Sequence, residues 1–536
     1  NQQPQKPPAF TMSNNVATVA GAPMNIEKKE LLPGDGAETR GHAVCPSAGL
    51  LCNVALFIMV LVMIATSNAI FAISIIILYV SVLYAWEKIF RKPWLFTEAE
   101  RKKSFIVAGR MTFRRETIAK LVFGVYIFLA FTSTPLTQIV SLKIIGVEPN
   151  GYVTFSYNLL GSTLILLLAI FVVDCIDVAR LAFLRVRKAE GAGTDNLGRI
   201  VEQRKSFGVG CCYVLFTILS LANGYDAGKT VRVDVFLKEL PPCLDGFKVG
   251  VFSDVHAGPL IGKTEIARQV ELMNKESPDI AILSGDMADG PTSDVGPALY
   301  PISRDLKTKF GIFFSTGNHE YLHGGSGADW EKFWKDEGVV PLHNNRTTVP
   351  GTPYNPSCNE TFDLIGVPDL GHSPKLKEAL SGTSSGRARV LIAHQPLQIE
   401  EAAKEKVSLQ ISGHTHAGHL FPLHIAIWLA NRGYFAGLSR LESTQVYISE
   451  GTVGWGPRTR LFSFNERTIL TLRAGDKDAT GDLYRPSAGI GVILSAFVVV
   501  LQLACCFVVV CLPGLRKVAK TGHAKYVQKK KARAEA

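Results

Sequence analysis

Hydrophobic and polar positions along the chain follow two regimes. Near residues 48–66, 69–86, 119–140, 157–176, 206–223 and 488–512, apolar residues run almost without charge. Each window is long enough for a helix to cross about 30 Å of hydrocarbon. The first two are separated only by Ser67-Asn68, so a single bent helix, which would flip the N-terminus, is the alternative to a hairpin. Between the fifth and sixth windows the pattern changes. Residues 231–237 alternate as a strand does, 247–252 form a short apolar run, and 264–275 carry helical spacing. Further short runs at 279–283, 309–314, 389–392 and 407–411 each end at a polar loop. Short apolar runs separated by helical periods predict an α/β domain. The expected organisation is a disordered segment at 1–47, a transmembrane bundle at 48–227, a folded domain at 229–475, a further transmembrane helix at 488–512 and a basic tail at 513–536.

The chain has 536 residues and a formal charge of +11, which invites a nucleic-acid reading until the charge is divided. Residues 86–120 carry ten Lys/Arg against four acids, 177–206 carry seven against four, and 513–536 eight against one. The domain at 229–475 holds 25 basic and 27 acidic residues. The excess therefore sits beside apolar helices, as in membrane proteins that retain basic loops in the cytoplasm and contact anionic lipid. No nucleic-acid partner is expected. The same distribution predicts both termini in the cytoplasm and 229–475 in the lumen, periplasm or extracellular space. Asn345-Arg346-Thr347 and Asn359-Glu360-Thr361 are glycosylation sequons that agree with this side. Cys243 and Cys358 are the two cysteines of that segment, and either a disulfide or two free thiols fits them. Asp174 and Asp177, at the inner end of the fourth window, read as helix-packing acids.

The loops after the short strands carry the chemistry. They read Ser253-Asp254-Val255-His256, Gly285-Asp286-Met287-Ala288-Asp289, Gly317-Asn318-His319-Glu320, Ala393-His394-Gln395-Pro396 and Gly413-His414-Thr415-His416. Active sites of such sheets collect at the carboxyl ends of strands. Imidazole and oxygen donors without a thiolate suit Mn, Fe or Zn ions in an open catalytic site. In contrast, Gly258 to Gly262-Lys263-Thr264 has three residues between its glycines where a phosphate-binding P-loop needs four, which excludes an ATPase.

The five blocks, in this order, resemble the calcineurin-like metallophosphoesterase family, in its membrane-attached branch. The resemblance covers about residues 229–475 and implies a four-layer αββα sandwich of two mixed sheets, beside the multi-pass helical region. It implies two divalent metal ions (Mn, Fe or Zn). Asp254, His256, Asp286 and His416 would hold the first, Asp286 would bridge, and Asn318, His394 and His414 would complete the second. His319 would face the leaving-group oxygen, oriented by Asp289. Two such ions neutralise an anionic ester and generate a bridging hydroxide at neutral pH, while an Asp-paired histidine remains charged. Gly290 stands where protein phosphatases of the family carry arginine, which argues against that branch. Ala417 and His419 depart from the branch's GHTHGGQ ending and bear on specificity. Arg458 and Arg460 are candidate phosphate contacts, with surface ion pairs as the alternative.

These readings predict a membrane-anchored hydrolase of phosphate mono- or diesters, its partners being membrane lipids and a phosphoester substrate that is a lipid or lipid-linked. A phosphatase or nucleotidase for soluble phosphates, and a transporter or receptor that uses the domain for binding, are the alternatives. Protease added to sealed vesicles is expected to digest 229–475 only from the non-cytoplasmic face; digestion from the cytoplasmic face reverses the topology.

Overall fold

The computed structural model describes residues 147–186, 194–384, 386–421 and 423–476, the backbone of the strand pair β1 (Ser104–Val107) and β2 (Met111–Arg114), and position 125. The expectations for 1–47, 48–66, 69–86, 488–512 and 513–536 lie outside the described residues, as does nearly all of 119–140.

Helices α1 (Gly151–Val186) and α2 (Thr194–Tyr225) contain the fourth and fifth apolar windows. Helix α1 starts where the Asn150 carboxamide accepts from the backbone N–H of Tyr152 and Val153 at 2.9 and 3.3 Å, an N-cap that satisfies two otherwise unpaired donors. Within the pair, Gly151–Ile170 and Gly208–Tyr225 are long and apolar enough to cross a membrane. Ala169 and Ile170 pack on Val209, which holds the helices together. The side chains of Asp174 and Asp177 lie outside the described residues.

Two six-stranded sheets form the domain. The first is ordered β3 (Lys229–Leu237), β14 (Glu466–Ala474), β4 (Phe247–Phe252), β5 (Ile280–Ser284), β6 (Ile312–Ser315), β7 (Val340–Pro341). The second is ordered β12 (Gly437–Leu441), β13 (Thr444–Ile448), β11 (Leu409–Ser412), β10 (Arg389–Ile392), β9 (Phe362–Gly366), β8 (Asn345–Val349). Strands β4 to β7 run parallel, as do β9, β10, β11 and β13, whereas β14 lies antiparallel to β4. In the second sheet β12 lies antiparallel to β13 and β8 to β9, so both sheets are mixed.

Strand alternation explains the layers. Val249, Val251, Ile280 and Ile282 of the first sheet meet Leu364, Val390, Ile392, Leu409 and Ile411 of the second in one core. The opposite residues Ala281, Leu283 and Phe314 face α3 (Lys263–Asn274), α4 (Thr292–Arg304) and α5 (Gly327–Asp336), among them Ile266, Leu299 and Trp334. On the outer face of the second sheet Ile365 and Leu391 pack against Leu376 of α6 (Leu376–Ala379) and Ala402 of α7 (Ile399–Lys404). Burial on both faces is why these strands read as continuous apolar runs. The layers are helix, sheet, sheet, helix, as the resemblance implies.

Cys243 and Cys358 form a disulfide across 115 residues, and Cys358 is buried in the core between the sheets. Closing a loop of this length is worth up to about 4–5 kcal/mol in the unfolded-chain picture. Reductant is therefore expected to lower the unfolding midpoint of the wild type, while the C243S/C358S double variant starts low and does not respond to it.

Candidate metal centre

The five loops meet because their strands are neighbours. β4, β5 and β6 are adjacent and parallel, β10 and β11 likewise, and all five release their chains at the same edge of the sandwich. The edges are stitched across the sheets: Ser284 Oγ donates to the Ile411 carbonyl at 3.2 Å, and the Ser284 carbonyl meets His394 Nδ1 at 2.8 Å.

Turning each chain inward requires unusual backbone. Asp254, His256, Asp286, His414 and His416 have φ of 54°, 50°, 53°, 71° and 49°. A non-glycine residue held there costs roughly 1–3 kcal/mol, a kind of strain that clusters at functional sites. Two glycines permit the close approach. A Cβ on Gly413 would stand 2.1 Å from Asp254 Oδ2, and one on Gly285, itself at φ +79°, would stand 2.6 Å from His394 Nδ1.

The side chains gather into three overlapping groups: Asp254, His256 and His416; Asp286, His394 and His414; and His256, Asp289 and His319. His416 Nε2 lies 3.3 Å from Asp254 Oδ1 and 3.1 Å from His256 Nε2. His394 Nε2 lies 3.0 Å from Asp286 Oδ2, and His256 Nε2 lies 3.8 Å from the same oxygen. Asp286 therefore adjoins both of the first two groups. The loop before His319 carries Asn318, whose Oδ1 is buried without a hydrogen-bond partner. Asp289 Oδ1 meets Nδ1 of both His319 (2.6 Å) and His256 (2.9 Å), so it orients two imidazoles rather than one. All nine residues singled out in the sequence are brought to this one edge.

This donor set fits hard to borderline divalent cations. It offers carboxylates, imidazoles and an unpaired amide oxygen, all largely buried and without sulfur. Burial alone would raise the Asp286 pKa, but His394 and His319 hold it well below the carboxylate range. Burial likewise opposes ionisation of Asp289, yet His256 and His319 keep its pKa low. Burial would lower the His319 pKa; Asp286 and Asp289 outweigh it and push it up to about 9. Burial, then the neighbouring His256 charge, lowers the His416 pKa.

Several contributors were not assigned a role from the sequence. Glu320 is fully buried and accepts from the backbone N–H of Gly317 (2.6 Å), Asp286 (3.0 Å) and Met287 (2.7 Å), locking two of the loops together. Its position directly after His319 is the signal that could have found it. Trp455 is half-exposed, with its ring centroid 6.0 Å from that of His319 and 6.3 Å from that of His416; no spacing rule points to it.

Neither arginine expectation survives. Arg460 is fully buried and donates to the carbonyls of Glu450, Val453 and Phe464, so it is neither a phosphate contact nor a surface ion pair. Arg458 is also buried; it pairs with Glu265 at 3.4 Å and stacks over Tyr225 at 4.3 Å. His419 is buried, with Nε2 2.9 Å from the Pro457 carbonyl, and burial lowers its pKa to about 3. At the rejected P-loop, Glu148 Oε1 accepts from the N–H and Oγ1 of Thr264 at 2.9 and 2.6 Å, filling the helix N-terminus with a side chain.

Comparison with known proteins agrees with the geometry. The calcineurin-like phosphoesterase family matches residues 247–418. A protein from Bos taurus named transmembrane protein with metallophosphoesterase domain is 32% identical over 366 residues, which is 66% of this chain and 80% of the relative. A protein of the same name from Danio rerio is 31% identical over 342 residues, 62% of this chain and 76% of that one. A solved dimetal phosphatase, also from Danio rerio, aligns at 12% identity and TM-score 0.27 over 43% of this chain and 93% of its own. With its site assembled from the five expected loops and four-fifths of the bovine protein spanned, the chain belongs to the calcineurin-like phosphoesterase family of metal-dependent phosphoester hydrolases.

Proposed function

We propose that this protein is a membrane-anchored phosphoesterase whose substrate is a lipid phosphate or a lipid-linked phosphate ester. The observation that carries the reading is the union of the site with α1 and α2. Val153 of α1 shares a core with Val255 of the Asp254 loop and with Val453. On α2, the Ser220 carbonyl accepts from the Arg460 N–H at 2.9 Å. Two helices apolar enough to cross a membrane are thus packed against the loops that carry the site, which supports a substrate presented at a membrane. The relatives named transmembrane proteins support the anchoring. The Cys243–Cys358 disulfide and the exposed sequons at Asn345 and Asn359 favour a non-cytoplasmic domain.

In this reading Asp254, His256, Asp286 and His416 would hold one divalent cation, and Asp286, Asn318, His394 and His414 would hold a second. The cations would supply charge neutralisation of the ester and an activated water. The chain supplies the rest. Asp289 holds the His319 imidazole in place and favours its protonated form. His319 would then serve as a proton donor to the oxygen that leaves with the alcohol.

Changing His319→Ala is expected to reduce turnover about 10²–10⁴-fold, the usual worth of a general acid, with bound metal unchanged in elemental analysis. Asp286→Asn should abolish turnover and lower metal content together. Stripping metal with a chelator should remove activity, and refilling with Mn, Fe or Zn should show which ion restores it. Purified protein in lipid that hydrolyses soluble esters such as bis-p-nitrophenyl phosphate, read as released p-nitrophenol, but hydrolyses no lipid phosphate, refutes the substrate assignment. It would favour the soluble-phosphate alternative. Transport that survives Asp286→Asn undiminished would favour the binding-module alternative.

A further inference from the structure

The helix after the last metal loop, α8 (Leu423–Ala430), has the sequence LHIAIWLA, with no charged residue. Its one buried residue is His424, whose Nε2 lies 3.2 Å from the Phe462 carbonyl. Leu423, Ile425 and Leu429 are 48%, 47% and 62% exposed. A helix on the surface of a water-soluble domain turns polar residues outward, and an apolar outer face marks a binding surface. What covers it follows from its neighbours. Just before α8, Leu420 packs with Leu461 against Ile165 and Leu168 of α1 and Phe216 of α2. Those three residues lie within the two candidate spans. Residues packed side by side share a depth. If 208–225 is in the bilayer, the segment leading into α8 cannot stand in bulk water. Ile218 of α2 is 60% exposed, and it presents the same kind of apolar surface.

We infer that α8 is a membrane-inserted helix, its Leu423, Ile425 and Leu429 face resting among lipid acyl chains beside α1 and α2. The inference rests on the membrane-anchored reading above. It adds that the catalytic domain itself enters the bilayer, rather than standing off on a stalk. Such helices gain from apolar area transferred into the acyl boundary. Arg432, shortly after the helix and paired with Glu400, returns the chain to polar surroundings. Leu420 lies four residues beyond His416, and its backbone bridges to Leu461. Insertion would therefore hold the metal loops close to the headgroup layer.

The test uses the full chain in phosphatidylcholine nanodiscs doped with a lipid that carries a photoreactive diazirine on its acyl chain. Adducts are mapped by mass spectrometry, alongside hydroxyl-radical footprinting from the aqueous side. The expected result is lipid adducts on 423–430 at a yield comparable with 208–225 and at least about tenfold above the exposed segment 351–353, as an acyl-embedded helix requires. Adducts on 208–225 with oxidised, adduct-free 423–430 overturn the inference and leave the anchored reading standing. Adducts on neither overturn both. A segment 423–430 that is free of adducts yet protected from oxidation is covered by protein, a partner or a second copy, and also overturns the inference.

Discussion

Three aspartates and five histidines pressed together at one edge of a sandwich form the constraint on which the rest of the molecule depends. Desolvating an ion costs several kcal/mol unless it is paired. Here the carboxylates and imidazoles partly pair with one another, Asp286 with His394 and Asp289 with His256 and His319. The pairing is incomplete, because burial and like charge push the His414 and His416 pKa values down and leave them as neutral donors. A divalent cation needs ionised carboxylates and neutral imidazoles; His414 and His416 already lean to the neutral form, whereas burial would lower the His394 pKa but Asp286 outweighs it, so His394 would give up a proton on binding metal.

Holding that arrangement dictates the scaffold. Five of the donor residues, spread over three loops, sit in the left-handed backbone region, each at a cost of roughly 1–3 kcal/mol. The strands on which the loops rest offset it, since nearly every residue of β4, β5, β6, β10 and β11 is fully buried. Glu320 shows how tightly the loops are tied. One buried carboxylate satisfies three backbone N–H groups from two loops, so neither loop can shift without leaving a polar group unpaired. The chain also returns at its far end to complete the first sheet, with β14 inserted between β3 and β4.

The catalytic edge was legible in the sequence because its signals are local. A run such as 247–252 ends at Asp-x-His, and doubly buried parallel strands announce themselves by unbroken apolar character. The runs at 247–252 and 389–392 match strands residue for residue, while 309–314 is observed as Ile312–Ser315, since a turn at Gly311 delays the strand. What escaped depends on long-range pairing. β14 reads as a charged stretch, ERTILTLRA, and becomes a strand because it lies between two others. Arg458 and Arg460 carry charges that in isolation point to solvent or phosphate. Arg458 is paired by a carbonyl and a carboxylate from distant segments, at Gly224 and Glu265, whereas Arg460 donates to the carbonyls of its own loop, at Glu450, Val453 and Phe464. The Cys243–Cys358 pair was open in sequence for the same reason: two cysteines 115 residues apart carry no sign of proximity.

The attachment of α1 to the domain links these levels. Glu148 ends the short segment before α1, and its carboxylate occupies the N-terminus of α3, where unpaired N–H groups and the helix dipole favour negative charge. Three residues later α1 begins, capped by Asn150, and within its first turn Val153 enters the core beside Val255 and Val453. Farther along, a Cβ on Gly161 would collide with Thr459 at 2.4 Å, so α1 passes the 457–459 loop with no room to slide. On α2 a Cβ at Gly224 would stand 2.2 Å from the Arg458 carbonyl. Contacts this close at both helices make the pair and the metal loops one packed unit, so neither helix can shift without moving the loops that carry the donors.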